Sequence, residues 1–171
     1  MPRMKRRGFL ALGAASAAVL VAAGGAVALL QPGWEGGRLT ARARAVFQHV
    51  GRGLLDTLLP ADPAAQNTEL LGLVDRIEAT IAGLPPATQA ELSQLLALLG
   101  SSGGRRALVG LAPDWPEASV AELHAAFAGM RFSGLDPKRQ IYRALHELVL
   151  GAYFAEPKTW SLLNYPGPRA L

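Results

Sequence analysis

From Thr40 to Phe154 the apolar residues recur three and four positions apart, proline or glycine interrupts them at intervals, and no convincing stretch alternates with period two. That pattern argues against a sandwich or barrel and points to an all-α bundle. Thr40 is placed to cap a helix through Leu59, with Phe47, Val50, Leu54 and Leu58 on one face and Pro60 as its stop. Pro60-Ala61-Asp62-Pro63 reads as a turn. Leu70, Val74, Ile77 and Ile81 then stripe a helix over Thr68 to Ala82, which Gly83 closes. Pro85-Pro86 opens a third, running to Leu99 with Leu92, Leu95, Leu96 and Leu99 inward. After a Ser101–Gly104 connection, Arg105 to Leu111 is expected as a short helical piece. Asp114 and Glu117 have the spacing of a capping box, here for a helix carrying Val120, Leu123, Phe127 and Met130. Asp136-Pro137 opens the last helix, with Ile141, Leu145, Leu148 and Ala152 inward. The expected architecture is a small bundle of five or six helices over residues 40–155, behind a Gly-rich linker at 31–39 and ahead of an extended, aromatic and Pro-rich tail at 156–171.

The first 30 residues have a different character. The chain carries 17 Lys and Arg against 13 Asp and Glu, a formal +4, but Arg3, Lys5, Arg6 and Arg7 hold four of those cations and no acid precedes Glu35. Everything after them is neutral, so a basic face for nucleic acid is not expected. Gly8 to Leu30 is 23 residues without a charge. At ~1.5 Å of rise each they could span a ~30 Å hydrocarbon core. Their Ala, Gly and Val content suits an export signal better than a permanent span. A basic start, an apolar run and the small-x-small site Ala26-Val27-Ala28 complete that signal. Arg6 and Arg7, one spacer, then Phe9 and Leu10 resemble the twin-arginine address, which serves substrates exported already folded. Lys5 stands where Ser or Thr is usual, and Ala11 where a basic residue is common; an ordinary Sec signal is the other reading. Either way the basic end stays cytoplasmic and the rest becomes periplasmic, cleaved after Ala28 or held to the inner membrane by a hydrophobic signal helix.

Candidate chemistry is sparse. The chain has no cysteine, which excludes disulfides, thiolate metal sites and Cys nucleophiles. Of the three histidines, His49, His124 and His146, the last two lie near Glu122 and Glu147, but neither His–Glu pair has the i, i+3 or i+4 spacing of a helical metal site. No serine sits in a nucleophile elbow, no Gly-rich phosphate loop occurs, and the acids are scattered singly. Neither a catalytic nor a cofactor-binding residue is assigned. An enzyme in its own right would need His124 or His146 to meet Glu122 or Glu147 in a cleft. A second class, a free-standing helical protein with a small ligand inside its Leu-rich bundle, stays open.

The C-terminal segment is the distinctive one. Aromatic residues are 6% of the chain, yet Tyr142, Tyr153, Phe154, Trp160 and Tyr165 fall within its last 30 residues. Asn164-Tyr165-Pro166-Gly167-Pro168 can be neither helix interior nor central strand, so it must lie along a surface, its own or a partner's. Tyr153, Phe154, Trp160, Tyr165, Pro166, Gly167 and Pro168 are therefore the candidate partner interface.

Arg6-Arg7-Gly8-Phe9-Leu10, Asp56-Thr57-Leu58-Leu59-Pro60, Leu148-Val149-Leu150-Gly151-Ala152-Tyr153-Phe154 and Tyr165-Pro166-Gly167-Pro168 together resemble the gluconate 2-dehydrogenase subunit 3 family. These are small subunits of membrane-associated FAD-dependent sugar and alcohol dehydrogenases. The resemblance runs along most of the chain but is specific at its two ends. It implies a non-catalytic subunit without a cofactor of its own. Such a subunit escorts a large flavoprotein of the glucose–methanol–choline type through the twin-arginine translocase into the periplasm and stabilises it there. FAD would sit in that partner, and in some assemblies a haem-c subunit passes electrons on.

Overall fold

The computed structural model describes residues 31–166. Arg6, Arg7, Phe9, Leu10, Ala26 and Ala28 of the export signal, like Gly167 and Pro168 of the tail, lie outside them. Five helices of 12 residues or more make the body: α1 (Ala41–Leu54), α2 (Pro63–Ala82), α3 (Pro86–Gly100), α4 (Val120–Arg131) and α5 (Asp136–Phe154). The all-α expectation holds. No described helix is long and apolar enough to cross a membrane.

Helix α1 is the hub and packs against all four others. Its apolar residues Ala43, Val46, Phe47 and Val50 are buried, and so are Gly51 and Gly53. A Cβ on Gly51 would come within 2.8 Å of Leu73 on α2, and one on Gly53 within 2.7 Å of the Phe127 ring on α4. Glycine inside a helix costs about 1 kcal/mol relative to alanine; here its missing side chain lets two neighbours reach the central axis. The inward stripes read from the sequence on α2, α3 and α5 are all buried, Leu70, Leu92 and Ile141 among them.

Five helix boundaries differ from expectation. Helix α1 stops at Leu54, and Asp56–Leu58 continue as a 3-10 turn. Thr40 occupies the N-cap of α1 without capping, because its hydroxyl donates to the Gly33 carbonyl instead (3.4 Å). Helix α2 begins at Pro63 rather than Thr68: Asp62 is its N-cap, accepting from the Ala65 amide at 2.8 Å, and Pro63 takes the first turn. Asp114 and Glu117 do form a capping box, but it closes only the 3-10 turn Trp115–Glu117. A second box, Ser119 with Glu122, starts α4. Asp136, at the start of α5, pairs with Arg139 and caps nothing.

Residues 31–39 are not a free linker. Trp34–Glu35 (β1) pairs antiparallel with Arg38–Leu39 (β2) across Gly36-Gly37, whose φ values of +57° and +80° suit a two-residue hairpin turn. Buried Ser93 on α3 clamps this hairpin, accepting from the Trp34 amide (3.0 Å) and donating to the Trp34 carbonyl (3.2 Å). The Gly33 amide donates to the Ser93 carbonyl at 3.1 Å. Leu39 is buried, and its amide is held by Glu78 on α2 at 2.9 Å.

Candidate functional site

The C-terminal segment is built on a polar knot between α2 and α5. Arg76 donates from Nε to the Ala152 carbonyl (3.0 Å) and pairs with Glu69 at 3.3 Å. Glu69 also takes Lys158 at 2.6 Å. Burial alone would raise the Glu69 pKa, but Lys158 and Arg76 outweigh it and hold the carboxyl below its ordinary value. The Tyr153 hydroxyl donates to the Leu58 carbonyl at 3.1 Å. Burial, with Glu69 nearby, pushes its pKa up.

Glu156-Pro157 ends α5 as expected, but the chain does not then extend. Pro157–Leu163 winds into a 3-10 helix folded back on the bundle. Thr159 is buried with its hydroxyl 2.8 Å from the Glu156 carbonyl, and Trp160 donates from its indole to the Phe154 carbonyl (2.9 Å). Trp160 and Tyr165 meet edge to face with ring centroids 5.5 Å apart. This segment is a strap over its own domain, and beyond it the described residues Asn164, Tyr165 and Pro166 depart from helix.

The strap redistributes the predicted interface. Tyr153 belongs to the core, and Phe154 packs against it, the two rings edge to face at 5.2 Å. Trp160 is half-buried by the strap's own contacts, whereas Tyr165 (47% exposed) and Pro166 face outward. The structure adds Leu162 and Leu163, 51% and 56% exposed, which sequence reasoning missed. Their signal was the change of phase at Pro157, which takes both leucines off the inward stripe of α5.

The histidines also have places. His49 points along α1, its Nδ1 2.8 Å from the Ala45 carbonyl, and burial lowers its pKa. His124 and His146 do share a cleft of roughly 250 Å³ between α1, α4 and α5, with Tyr142, Arg131 and Phe132. His146 stacks at a tilt on Tyr142, centroids 5.5 Å apart, and His124 lies 3.9 Å from Asp56. Glu122 instead lines a separate groove on the other side of α4 and is spent on the Ser119 cap, while Glu147 faces solvent. Neither glutamate joins the two histidines. Among the described residues no three of His, Asp and Glu are grouped to hold a metal ion.

Neither family models nor curated proteins nor solved structures match this chain.

Proposed function

We propose that this chain is the non-catalytic small subunit of a periplasmic FAD-dependent sugar or alcohol dehydrogenase. It escorts the catalytic flavoprotein through the twin-arginine pathway and holds it afterwards. The observation that carries this reading is the C-terminal strap: an ordered segment, fastened by Lys158, Thr159 and Trp160, that ends in Leu162, Leu163 and Tyr165 directed at solvent. Large apolar side chains held outward on an anchored segment are what a partner's surface would cover. Three of the polar groups that could do chemistry are committed locally, His49 to a backbone carbonyl, Glu122 to a cap and Asp114 to Arg105 at 2.7 Å. The Arg6-Arg7-Gly8-Phe9-Leu10 address supplies the export half of the role.

Co-expression with a large flavoprotein of the glucose–methanol–choline type, taken from the gene beside this one, tests it. The pair is expected to co-purify from the periplasm. Arg6→Lys/Arg7→Lys should leave the flavoprotein's activity in the cytoplasm, and Leu162→Ser/Leu163→Ser/Tyr165→Ser should separate the pair while the small subunit stays folded. Unchanged periplasmic activity with the paired lysines would defeat the escort role. A stable monomer whose melting shifts with a small ligand, and which ignores the flavoprotein, would establish the free-standing binding protein instead.

A further inference from the structure

The corner between α4 and α5 presents Phe132, 77% exposed, and Leu135, 61% exposed, on one short connection. The projection is fixed rather than frayed. The Phe132 amide donates to the Ala128 carbonyl at 3.0 Å, the Ser133 hydroxyl accepts from the Leu135 amide at 3.1 Å, and Arg139 binds both the Ser133 carbonyl and Asp136. The Arg131 guanidinium lies over the Phe132 ring, 5.2 Å from its centroid.

The chain that forms this tip is rich in cations. Residues 131–143 hold four cations, Arg131, Lys138, Arg139 and Arg143, and one acid, Asp136, which Arg139 already takes. The rest of the described chain holds eight cations against twelve acids. Among the described residues, the stretch 131–143 is therefore cationic and apolar-tipped, while the remainder carries an excess of acids. Two side chains offer far less than the ~800 Å² per partner of a standard protein interface. A bilayer interface accepts that shape: apolar tips enter the acyl boundary while long cations stay among the headgroups. Anionic lipid strengthens such contact about fivefold per Lys or Arg and repels the acidic remainder, which orients the approach.

We propose that the α4–α5 corner is a membrane-surface contact, with Phe132 and Leu135 entering the interface of an anionic phospholipid bilayer and Arg131, Lys138 and Arg143 at its phosphates. The proposal does not depend on the accessory-subunit reading.

The absence of cysteine gives a site-specific test in the full chain. A Cβ at Gly134 or at Gly151 meets nothing within 4 Å, so Gly134→Cys and Gly151→Cys each accept an environment-sensitive fluorophore. Gly151 lies near the far end of α5, ~25 Å along the helix at ~1.5 Å per residue. The probe is a vesicle of phosphatidylcholine with ~30% phosphatidylglycerol, against phosphatidylcholine alone, at low salt and at ~0.5 M salt. The label at 134 is expected to rise several-fold and shift to shorter wavelength on anionic vesicles only, and to revert in high salt. The label at 151 should not respond. Phe132→Ser/Leu135→Ser should abolish the response at 134, and Arg143→Gln should weaken the vesicle affinity about fivefold. The proposal is overturned if the chain sediments with vesicles while the label at 134 stays silent, since the Gly8–Leu30 segment alone would then bind. Equal responses at 134 and 151 overturn it too, as does a response at 134 to the purified flavoprotein and not to lipid, which makes the corner a protein contact.

Discussion

The segments on either side of the bundle, residues 31–39 and 157–166, look alike in sequence. Both are short, without helical period, and punctuated by glycine or proline. The bundle treats them differently. The leading segment is sewn in at both strands: Gly33 and Trp34 to Ser93, Leu39 to Glu78, with Gly33 and Leu39 buried. The trailing segment is sewn in only as far as Trp160 and then turns Leu162, Leu163 and Tyr165 outward. Composition marked both as non-helical. What separates them is that the bundle offers a backbone-sized slot to the leading segment, at Ser93 and Leu96 of α3, and none to the end of the trailing one.

The strongest way to break this contrast is Gly33→Val. A Cβ at Gly33 would fall 2.3 Å from the Leu96 Cβ and 2.9 Å from the Ser93 carbonyl, both attached to a packed helix. We expect a loss of about 3 kcal/mol in urea unfolding; a loss under 0.5 kcal/mol would mean that the hairpin is not docked in solution. Ser93→Ala comes next. It strips partners from the amide and carbonyl of Trp34 at a half-buried site and should cost about 2 kcal/mol, with faster amide exchange at Gly33 and Trp34 and none at the strap.

Smaller effects are expected at the strap. Lys158→Met removes one partner of Glu69 from a pair whose lysine is largely exposed, so about 0.5 kcal/mol is expected. Its clearer readout is pH. The folded pKa values of Glu69 and His49 are both lowered, so the unfolded chain binds more protons in acid. Stability is full above the unfolded pKa of each group and is lost as pH falls, first through the histidine range and then through the carboxylate range. Lys158→Met should shrink only the carboxylate step, and calorimetric melting across that range checks it. Least of all, Leu162→Ser/Leu163→Ser should change stability by no more than ~0.5 kcal/mol, because these side chains face solvent. A larger loss would show that the end of the strap is packed, which would remove it as a partner surface.

Local reading succeeded where a helix both repeats and is punctuated. The inward stripes of α2, α3 and α5 stand in the core where their spacing put them. It failed where one local pattern has two outcomes. Asp62-Pro63 starts a helix with a working side-chain cap, whereas Asp136-Pro137 starts one whose aspartate pairs with Arg139. Leu135 takes the N-cap there, so Asp136 already lies inside the first turn and its carboxylate meets Arg139 three residues on. The sharing of one cleft by His124 and His146 was likewise invisible, since they lie on different helices.

By itself the sequence determined the class of fold, because a period of three to four apolar residues can bury its stripe only as packed helices. It also determined the neutral character of everything after Arg7. Only tertiary structure decided which glycines are contacts, which capping pattern starts a helix, and which aromatic residues remain outside. Each of those outcomes depends on a group far along the chain, such as Leu96 for Gly33, Leu58 for Tyr153 and Glu69 for Lys158, and no local pattern encodes that distance.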